Sequence, residues 1–512
     1  MESCATPRPM RQLLLGLDVG TSSLKALLST PDGRTIATAT ADYPLAAPRP
    51  GWSEQDPEQW VTAAVRATRE ALSNAESAGH PGAGRHVAAI GFSGQMHGAV
   101  FVDRADAPLR PCILWNDSRS AAECDDLDRE LGAATILART GNRMLPGFTA
   151  PKVRWLQRHE PGLWARTDCI LLPKDFLRLR LGGARATDAA DASGTLYFDV
   201  AHRRWSMEML RDLGIASTRV PACHESPDVV DRLSPAMADA MGLVAGTPMV
   251  AGAVDQAAAA IGAGVTLPGA LSANLGTSGV LFAASDSFRA SPDGALHAFC
   301  HALPGRWHLM SVMLSAGGSM AWFLENVARD AEARAAAEGC TVHELIDREA
   351  AAIAPGCDGV TFVPTLAGER CPVPNPRARG SLHGISLATT QAHLARAVLE
   401  GVAASMGACL ELIRAAGIDP PEVIGAGGGL GSPLWAQMHA DAFGIPIRLA
   451  KDHEGSARGA ALLAGLGVGA TPALAVETPL LSGACVSPRL DEEAFWSRQR
   501  AWQTLLQRNA LS

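Results

Sequence analysis

The stretch "LDVGTSSLKALL", residues 17–28, is echoed later in the chain by "ANLGTSGVLFAA", residues 273–284. Each reads as an apolar strand, a Gly-Thr-Ser turn and a returning strand. The two turns, Gly20-Thr21-Ser22 and Gly276-Thr277-Ser278, lie half a chain apart in 512 residues. A repeat at that spacing implies duplication of a whole domain. The expected fold is therefore α/β, with two similar domains, each turning a small-residue loop towards a shared cleft. Gly and Pro cluster in "GAGVTLPGA" (262–270), which sets the expected boundary: 13–264 for the first domain and 265–512 for the second, after a loose leader over 1–12.

The surrounding segments agree with alternating strands and helices. "LLLGLDV" (13–19) and "HVAAIGFSG" (86–94) are rich enough in Leu, Val and Ile to be buried strands. "DGR" (32–34) marks a hairpin. Asp56-Pro57 opens a helix, with Asp as the cap, Pro at the first position and Gln59 at the third. In the second half, "TTQAHLARAVLEGVAASMGACLELIRAAG" (389–417) has Leu394, Val398, Val402, Met406, Leu410 and Ile413 at helical spacing and Gly417 at its end. "PEVIGAGGGLGSPLWAQMHADAFGIPIRL" (421–449) reads strand, glycine loop, helix, strand. "DEEAFWSRQRAWQTLLQRN" (491–509) reads as a further amphipathic helix.

Composition narrows the function. The formal charge of −8, without a long basic run, gives no nucleic-acid footprint. No apolar stretch approaches the roughly 20 residues that span a bilayer, so no membrane partner is expected. Eleven scattered cysteines, with no C-x-x-C pair, suit the reduced thiols of a cytoplasmic protein. "HAFCH" carries His297, Cys300 and His301, with His308 nearby, but lacks the second half of a closed zinc site.

Chemistry concentrates in a few places. Small residues in the two Gly-Thr-Ser turns let backbone N–H groups converge on an anion, and Thr21, Ser22 and Thr277 add hydroxyls; as hairpins alone they would be tight turns. Asp18, beside the first turn, is of the right type to hold Mg²⁺ next to phosphate oxygens. "GAGGGLGS" (425–432) is neither a Rossmann fingerprint nor a P-loop, yet Gly427, Gly428 and Gly429 allow backbone to lie against a nucleotide. "GFSGQMHG" (91–98) and "ILWNDSR" (113–119) place Gln95, Met96 and His97, and Trp115, Asn116 and Asp117, where a small polyol could be walled in by aromatic and polar groups. Asp255 is the single acid of "AGAVDQAAAAIGAG" (251–264). It is either a helix cap or a general base that positions an alcohol and accepts its proton.

Together these segments resemble the FGGY family of carbohydrate kinases, over roughly residues 13–470. "GLDVGTSSLKA", "GQMHG", "LRPCILWNDSR", "GNRMLPGFTAPK", "LLPKDFLRLRLGG", "LGTSGV" and "ARAVLEGV" carry the resemblance, and "GQMHG" with "ILWND" points to its D-xylulose-phosphorylating members. The Arg-Glu pair that glycerol kinases show after the corresponding Gln is absent. The resemblance implies two ribonuclease-H-like, actin-type domains closing over MgATP and sugar, and γ-phosphoryl transfer from ATP to O5 of D-xylulose. It implies Asp255 as base, and Asp18, Thr21 and Ser22 facing phosphates and Mg²⁺. Met96 and His97 would line the sugar, near Trp115, Asn116, Asp117 and Gln256. Gly276 and Thr277 would form the second phosphate turn, and Gly427, Gly428, Gly429 and Ser432 would approach the adenosine. Two segments depart from the family. Gln256 stands where Asn is common, which leaves D-ribulose, another pentulose or a pentitol such as D-arabitol as alternative substrates. "GERCPVPNP" (368–376) has Cys371 and Val373 where Thr and His are usual. The repeated turns by themselves also fit an actin-like, nucleotide-dependent assembly protein, and a homodimer is left open.

Overall fold

The computed structural model describes residues 12–451, 454–478, 481–489, 502 and 504–506. The expected leader over 1–12, apart from Gln12, and most of the expected helix over 491–509 lie outside the described residues.

Two seven-stranded sheets form, and their central parts share one plan. In the first, Leu13–Val19 pairs antiparallel with Ser23–Ser29, which pairs antiparallel with Thr35–Asp42. On its other side Leu13–Val19 runs parallel to Val87–Gly94, and that strand parallel to Pro248–Val250. In the second, Leu271–Leu275 pairs antiparallel with Gly279–Ser285, and that strand with Trp307–Met313. Leu271–Leu275 then runs parallel to Val423–Ala426, which runs parallel to Ile447–Ala450. Order and direction match strand for strand, as expected of a duplicated α/β unit. Even the edges correspond: Val229–Arg232 and Leu481–Val486 each add an antiparallel strand to the fifth strand of their sheet.

The helices follow from their sequences. Pro57–Ser77 starts with the Asp56 carboxylate accepting the Glu58 N–H at 3.1 Å, and buries the small face Ala63, Ala64, Ala67 and Ala71. Gln391–Ala415 buries Val398, Val402, Met406, Leu410 and Ile413 in the second core, ending before Gly417 at φ +85°. The glycine segment is a strand, Val423–Ala426, a single turn, Gly428–Gly431, and the helix Pro433–Phe443. Among the described residues no helix is long and apolar enough to cross a membrane, and the ten described cysteines are free thiols.

One helix departs from the expected halves. Gly455–Gly467 belongs to the second half of the sequence but lies on the first sheet. Its Ala457, Ala461 and Ala464 pack with Leu14, Leu27, Ala89 and Val250. The helix Asp255–Gly262, from the first half, leans the other way: Ala260 packs with Phe282 and Ile424 of the second sheet. The two helices also pack on each other, through Ala257, Ala258 and Ile261 against Leu462 and Leu463. Glycine makes this possible. A Cβ on Gly459 would lie 1.8 Å from the Ala258 carbonyl oxygen, one on Gly91 1.8 Å from that of Ala460, and one on Gly16 1.9 Å from that of Ala457.

Gly459→Ala should therefore overpack the joint between the sheets, by about 1–3 kcal/mol. We expect calorimetry to read this as a melting temperature several degrees lower. Gly162→Ala, where an added Cβ meets nothing within 4 Å, should leave the melting temperature unchanged or raised. Equal behaviour of the two variants would contradict the packing argument.

Candidate active site

The first Gly-Thr-Ser turn is held from several sides. The Gly20 N–H donates to the Ser23 carbonyl at 3.0 Å, and the Tyr43 hydroxyl donates to the Gly20 carbonyl at 2.6 Å. Gln55 donates to the Thr21 carbonyl, and its own Oε1 accepts from Trp60 at 3.1 Å. Gln95, expected to line the sugar wall, spends its amide on the turn. Its Nε2 donates to the Gly20 carbonyl at 3.3 Å and to Gln55 Oε1 at 3.0 Å, and its Oε1 accepts from the Thr21 hydroxyl at 3.4 Å. The Thr21 hydroxyl also accepts the indole N–H of Trp115 at 3.0 Å. The turn and the aromatic wall are thus one hydrogen-bonded unit. Ser22 is exposed.

The wall is built as tightly. His97 follows the strand Val87–Gly94 with φ +66°. Its backbone carbonyl accepts from Lys152 Nζ at 2.8 Å and from the Thr149 hydroxyl at 3.2 Å. Its ring lies on Phe148, centroids 4.2 Å apart, and its Nδ1 is 2.8 Å from the Gly194 carbonyl. A carbonyl only accepts, so Nδ1 carries the proton and Nε2 keeps a lone pair. Burial, with Lys152 adding to it, holds the imidazole neutral, well below its ordinary pKa. Met96 is partly buried beside it, between the clusters around Phe148 and Ala257. Trp115, 38% exposed, and Asn116 present open faces. Asp117 does not: it is buried, and both its oxygens are taken, by the Ser53 N–H at 2.6 Å and by three donors of Arg119 at 2.7–2.9 Å. It anchors the loop that carries Trp115 and Asn116.

Asp255 is the first residue of its helix, with Val254 at the cap, so its carboxylate is not the capping group. Oδ1 accepts the Gln256 N–H at 2.7 Å, and the Ser456 hydroxyl donates to the Asp255 carbonyl at 3.2 Å. The helix exchange thus brings Gly455–Gly467 directly behind this residue. Burial, and then the like charge of Asp18, raise the Asp255 pKa to about 7, against the smaller opposing effect of the Gln256 N–H. Asp18 is raised too, chiefly by burial, with Ser93 and Lys25 pulling it down and Glu454 pushing it up. Its Oδ1 is buried and without a hydrogen-bond partner. Lys25, its cross-strand neighbour, pairs with Glu454 at 2.9 Å.

That orphaned oxygen bears on Mg²⁺. Among the described residues no group of three or more His, Cys, Asp or Glu could cage a metal. Mg²⁺ does not need a cage; it takes one or two carboxylates, water and phosphate oxygens. Two acids with raised pKa values, the charge of Asp18 adding to the rise at Asp255 and Asp18 keeping an unused buried oxygen, fit a dication arriving with phosphate.

On the opposite side the second turn repeats the first, with the Gly276 N–H on the Ser278 carbonyl at 3.0 Å. Helix Gly317–Asn326 starts against it: the Gly317 and Gly318 N–H groups donate to the carbonyls of Gly276 and Thr277 at 2.9 and 3.0 Å. Gly276 and Thr277 are exposed. The three glycines of the third loop have different reasons to be glycine. A Cβ on Gly427 would be 2.5 Å from Asn274 Oδ1, and one on Gly429 2.6 Å from Leu275, whereas Gly428 faces open space. Ser432 caps the helix Pro433–Phe443, its hydroxyl accepting the Trp435 N–H at 3.0 Å.

Sequence reasoning missed Gln55, Lys152 and Arg370. Lys152, fully buried and lowered by burial to about 7, has no motif of its own beyond "GFTAPK" (147–152). Both departures in the 368–376 segment point into the protein. Cys371 hydrogen-bonds Cys409, and Val373 packs against the cluster of Val363, Ala408 and Trp502. His301 and His308 are buried, with His301 Nε2 at 3.2 Å from the Val265 carbonyl and His308 stacked on Phe282 at 4.0 Å.

Comparison with known proteins identifies the family. Residues 13–262 match the N-terminal domain, and 271–468 the C-terminal domain, of the FGGY family of carbohydrate kinases. A xylulose kinase of Escherichia coli K12 is 42% identical over 454 residues, 88% of this chain and 89% of the relative. One of Bacillus subtilis is 36% identical over 458 residues, 89% and 88% of the two chains. A crystal structure described as a xyloylose kinase from Brucella ovis superposes with a TM-score of 0.88 at 37% identity, over 96% of this chain and 98% of its own.

The pKa of Asp255 predicts a pH effect on stability. The group titrates near 3.8 when unfolded and near 7 when folded. Between these values the folded state holds a proton that the unfolded chain has released, so Asp255 withdraws stability as pH rises from about 4 to about 7. The melting temperature of Asp255→Asn minus that of the wild type should grow across this window. A constant difference would rule out the raised pKa.

Proposed function

The chain belongs to the FGGY family of carbohydrate kinases, and we propose that this member is a xylulokinase, transferring the γ-phosphoryl group of ATP to O5 of D-xylulose to give D-xylulose 5-phosphate and ADP. The observation that carries this reading is Asp255: a carboxylate raised to about 7, its Oδ1 on the Gln256 N–H, near Asp18 and on the helix that joins the two sheets. Phosphoryl transfer asks the protein mainly for positioning and charge stabilisation, with a carboxylate to orient the hydroxyl and take its proton. A base with a pKa near the working pH suits that task. The xylulose kinase activity named for the relatives supports the sugar.

In this reading Asp255 accepts the O5 proton as the bond to phosphorus forms. Met96, His97, Trp115 and Asn116 hold the sugar, with His97 Nε2 as a hydrogen-bond acceptor for a hydroxyl and Gln256 beside the base. Asp117 and Gln95 act from behind, holding the Trp115 loop and the first turn. Thr21, Ser22, Gly276 and Thr277 bind phosphates, and Gly428, with Gly427, Gly429 and Ser432 shaping its loop, lies along the nucleoside. Mg²⁺, held by Asp18, would neutralise phosphate charge. We place the division between lobes at 264/265, with helix Gly455–Gly467 as the part of the second segment seated on the first sheet.

A coupled ADP-release assay with MgATP against D-xylulose, D-ribulose, L-ribulose, D-arabitol, xylitol and glycerol tests the substrate. D-Xylulose should give the highest kcat/KM; preference for a pentitol would reassign Gln256 and the wall. Asp255→Ala should lose at least about 100-fold in kcat while still binding sugar. Near-normal turnover would remove Asp255 from the role of base.

A further inference from the structure

The first sheet's sugar wall is completed from the second half of the chain. The segment 368–376 folds back on itself, with the Glu369 N–H on the Asn375 carbonyl and the Asn375 N–H on the Glu369 carbonyl at 2.8 and 2.9 Å. The Glu369 carboxylate accepts the Leu314 N–H at 3.0 Å, which pins this loop to the end of strand Trp307–Met313. Arg370 projects from it towards the other lobe. Its Nη2 is 3.6 Å from where a Cβ on Gly147 would stand, and that same position lies 2.6 Å from the Trp115 carbonyl. The Arg370 charge is felt by His97, and by His297, whose ring is 5.6 Å from Phe148. It does not act on Asp255, where the charge at work is that of Asp18. Arg370 thus faces the wall at a distance from the proposed base.

Arg370 is half-buried beside the charge of Glu369, yet among the described residues its side chain makes no hydrogen bond or ion pair. Its charged neighbour Glu369 points its carboxylate at backbone N–H groups, including that of Arg370 at 2.9 Å. A partly buried cation without acceptors is costly. Glu369 offsets part of this charge without accepting a hydrogen bond from it, while His97 and His297 are held neutral by burial, His97 well below its ordinary pKa and His297 at about 3. A guanidinium offers five donors and no acceptor, so what is missing is a set of oxygen acceptors.

We infer that Arg370 is a substrate-binding, specificity-determining residue, which reaches across from the second lobe and donates hydrogen bonds to the oxygens at the carbonyl end of an open-chain ketose. A ketose carbonyl is an acceptor only and matches a donor-only group. A pentitol offers a hydroxyl there, whose proton must be turned away. The inference rests on the ketose reading above, and it adds that the far end of the sugar is recognised by the opposite lobe.

The test compares wild type, Arg370→Met and Arg370→Lys. Calorimetry without nucleotide gives the Kd for D-xylulose and for D-arabitol, and steady-state kinetics give KM for sugar and for MgATP. Loss of a charged hydrogen bond should weaken D-xylulose binding by about 10- to 100-fold in Arg370→Met, with a smaller loss for D-arabitol and KM for MgATP within about 2-fold. Arg370→Lys should recover part of the loss. Because the variant removes a half-buried charge that makes no hydrogen bond, its melting temperature should equal or exceed that of the wild type; a structural arginine would give a lower one. Unchanged D-xylulose binding, or equal losses on both sugars, would overturn the inference. A wild type that binds neither sugar but phosphorylates another of the panel would refute the proposed substrate alone. The same comparison on that sugar and its reduced or oxidised partner then decides Arg370 separately.

Discussion

Helix Asp255–Gly262 and helix Gly455–Gly467 meet so closely that Gly459 has the Ala258 carbonyl where a side chain would be. This contact of backbone on backbone governs the rest. It requires Ala and Gly on both faces, which is why "AGAVDQAAAAIGAG" is almost without large side chains. It also fixes where the one acid in that segment can stand. Asp255 lies at the helix start, where strand gives way to the joint, with Ser456 of the partner helix bonded to its backbone. The proposed base is therefore mounted on the seam between the lobes and belongs wholly to neither.

The electrostatics follow from that mounting. Burial drives Asp255 and Asp18 both towards their neutral forms, and the charge of Asp18 makes that of Asp255 harder to bear. A protein selected for stability alone would not keep such a pair. Arg370 is the same kind of imbalance with the opposite sign, a half-buried cation lacking acceptors. Negative strain at one end of the site and positive at the other would be met by a dication with phosphate and by sugar oxygens respectively. Both strains are small beside the hydrophobic cores of the two sheets, which carry them.

The repeated Gly-Thr-Ser stretch made the two-sheet plan legible, because a strand-turn-strand unit is a local pattern that chain neighbours determine. The long helix over 391–415 and the strand-loop-helix unit after 423 were legible for the same reason. The helix exchange was not: small residues announce close packing but do not say with what, and Gly455–Gly467 reads like any alanine-rich helix. Asp255, His97 and Trp115 stood out as unusual residues in their surroundings. The sequence could not show that Gln95 and Asp117 face inward, since an amide and a carboxylate look alike whether they serve a ligand or a loop. Lys152 matters through the carbonyls of His97, 55 positions away, and of Gly147, and Arg370 through a wall built more than a hundred positions earlier. No local spacing records that.

The exchanged helices also bear on how the molecule can be made. A chain cut in the Gly- and Pro-containing connection between the sheets would yield two fragments, each with a sheet lacking its cover and a small-faced helix lacking its seat. Neither fragment could bury those surfaces alone, and each carries the piece that the other needs. The two lobes would then be obligate companions in folding, able to re-form the enzyme by complementation when produced together, and poor candidates for separation into stand-alone modules. A duplication that began as two similar units has, through one swapped element each, become a single foldable object.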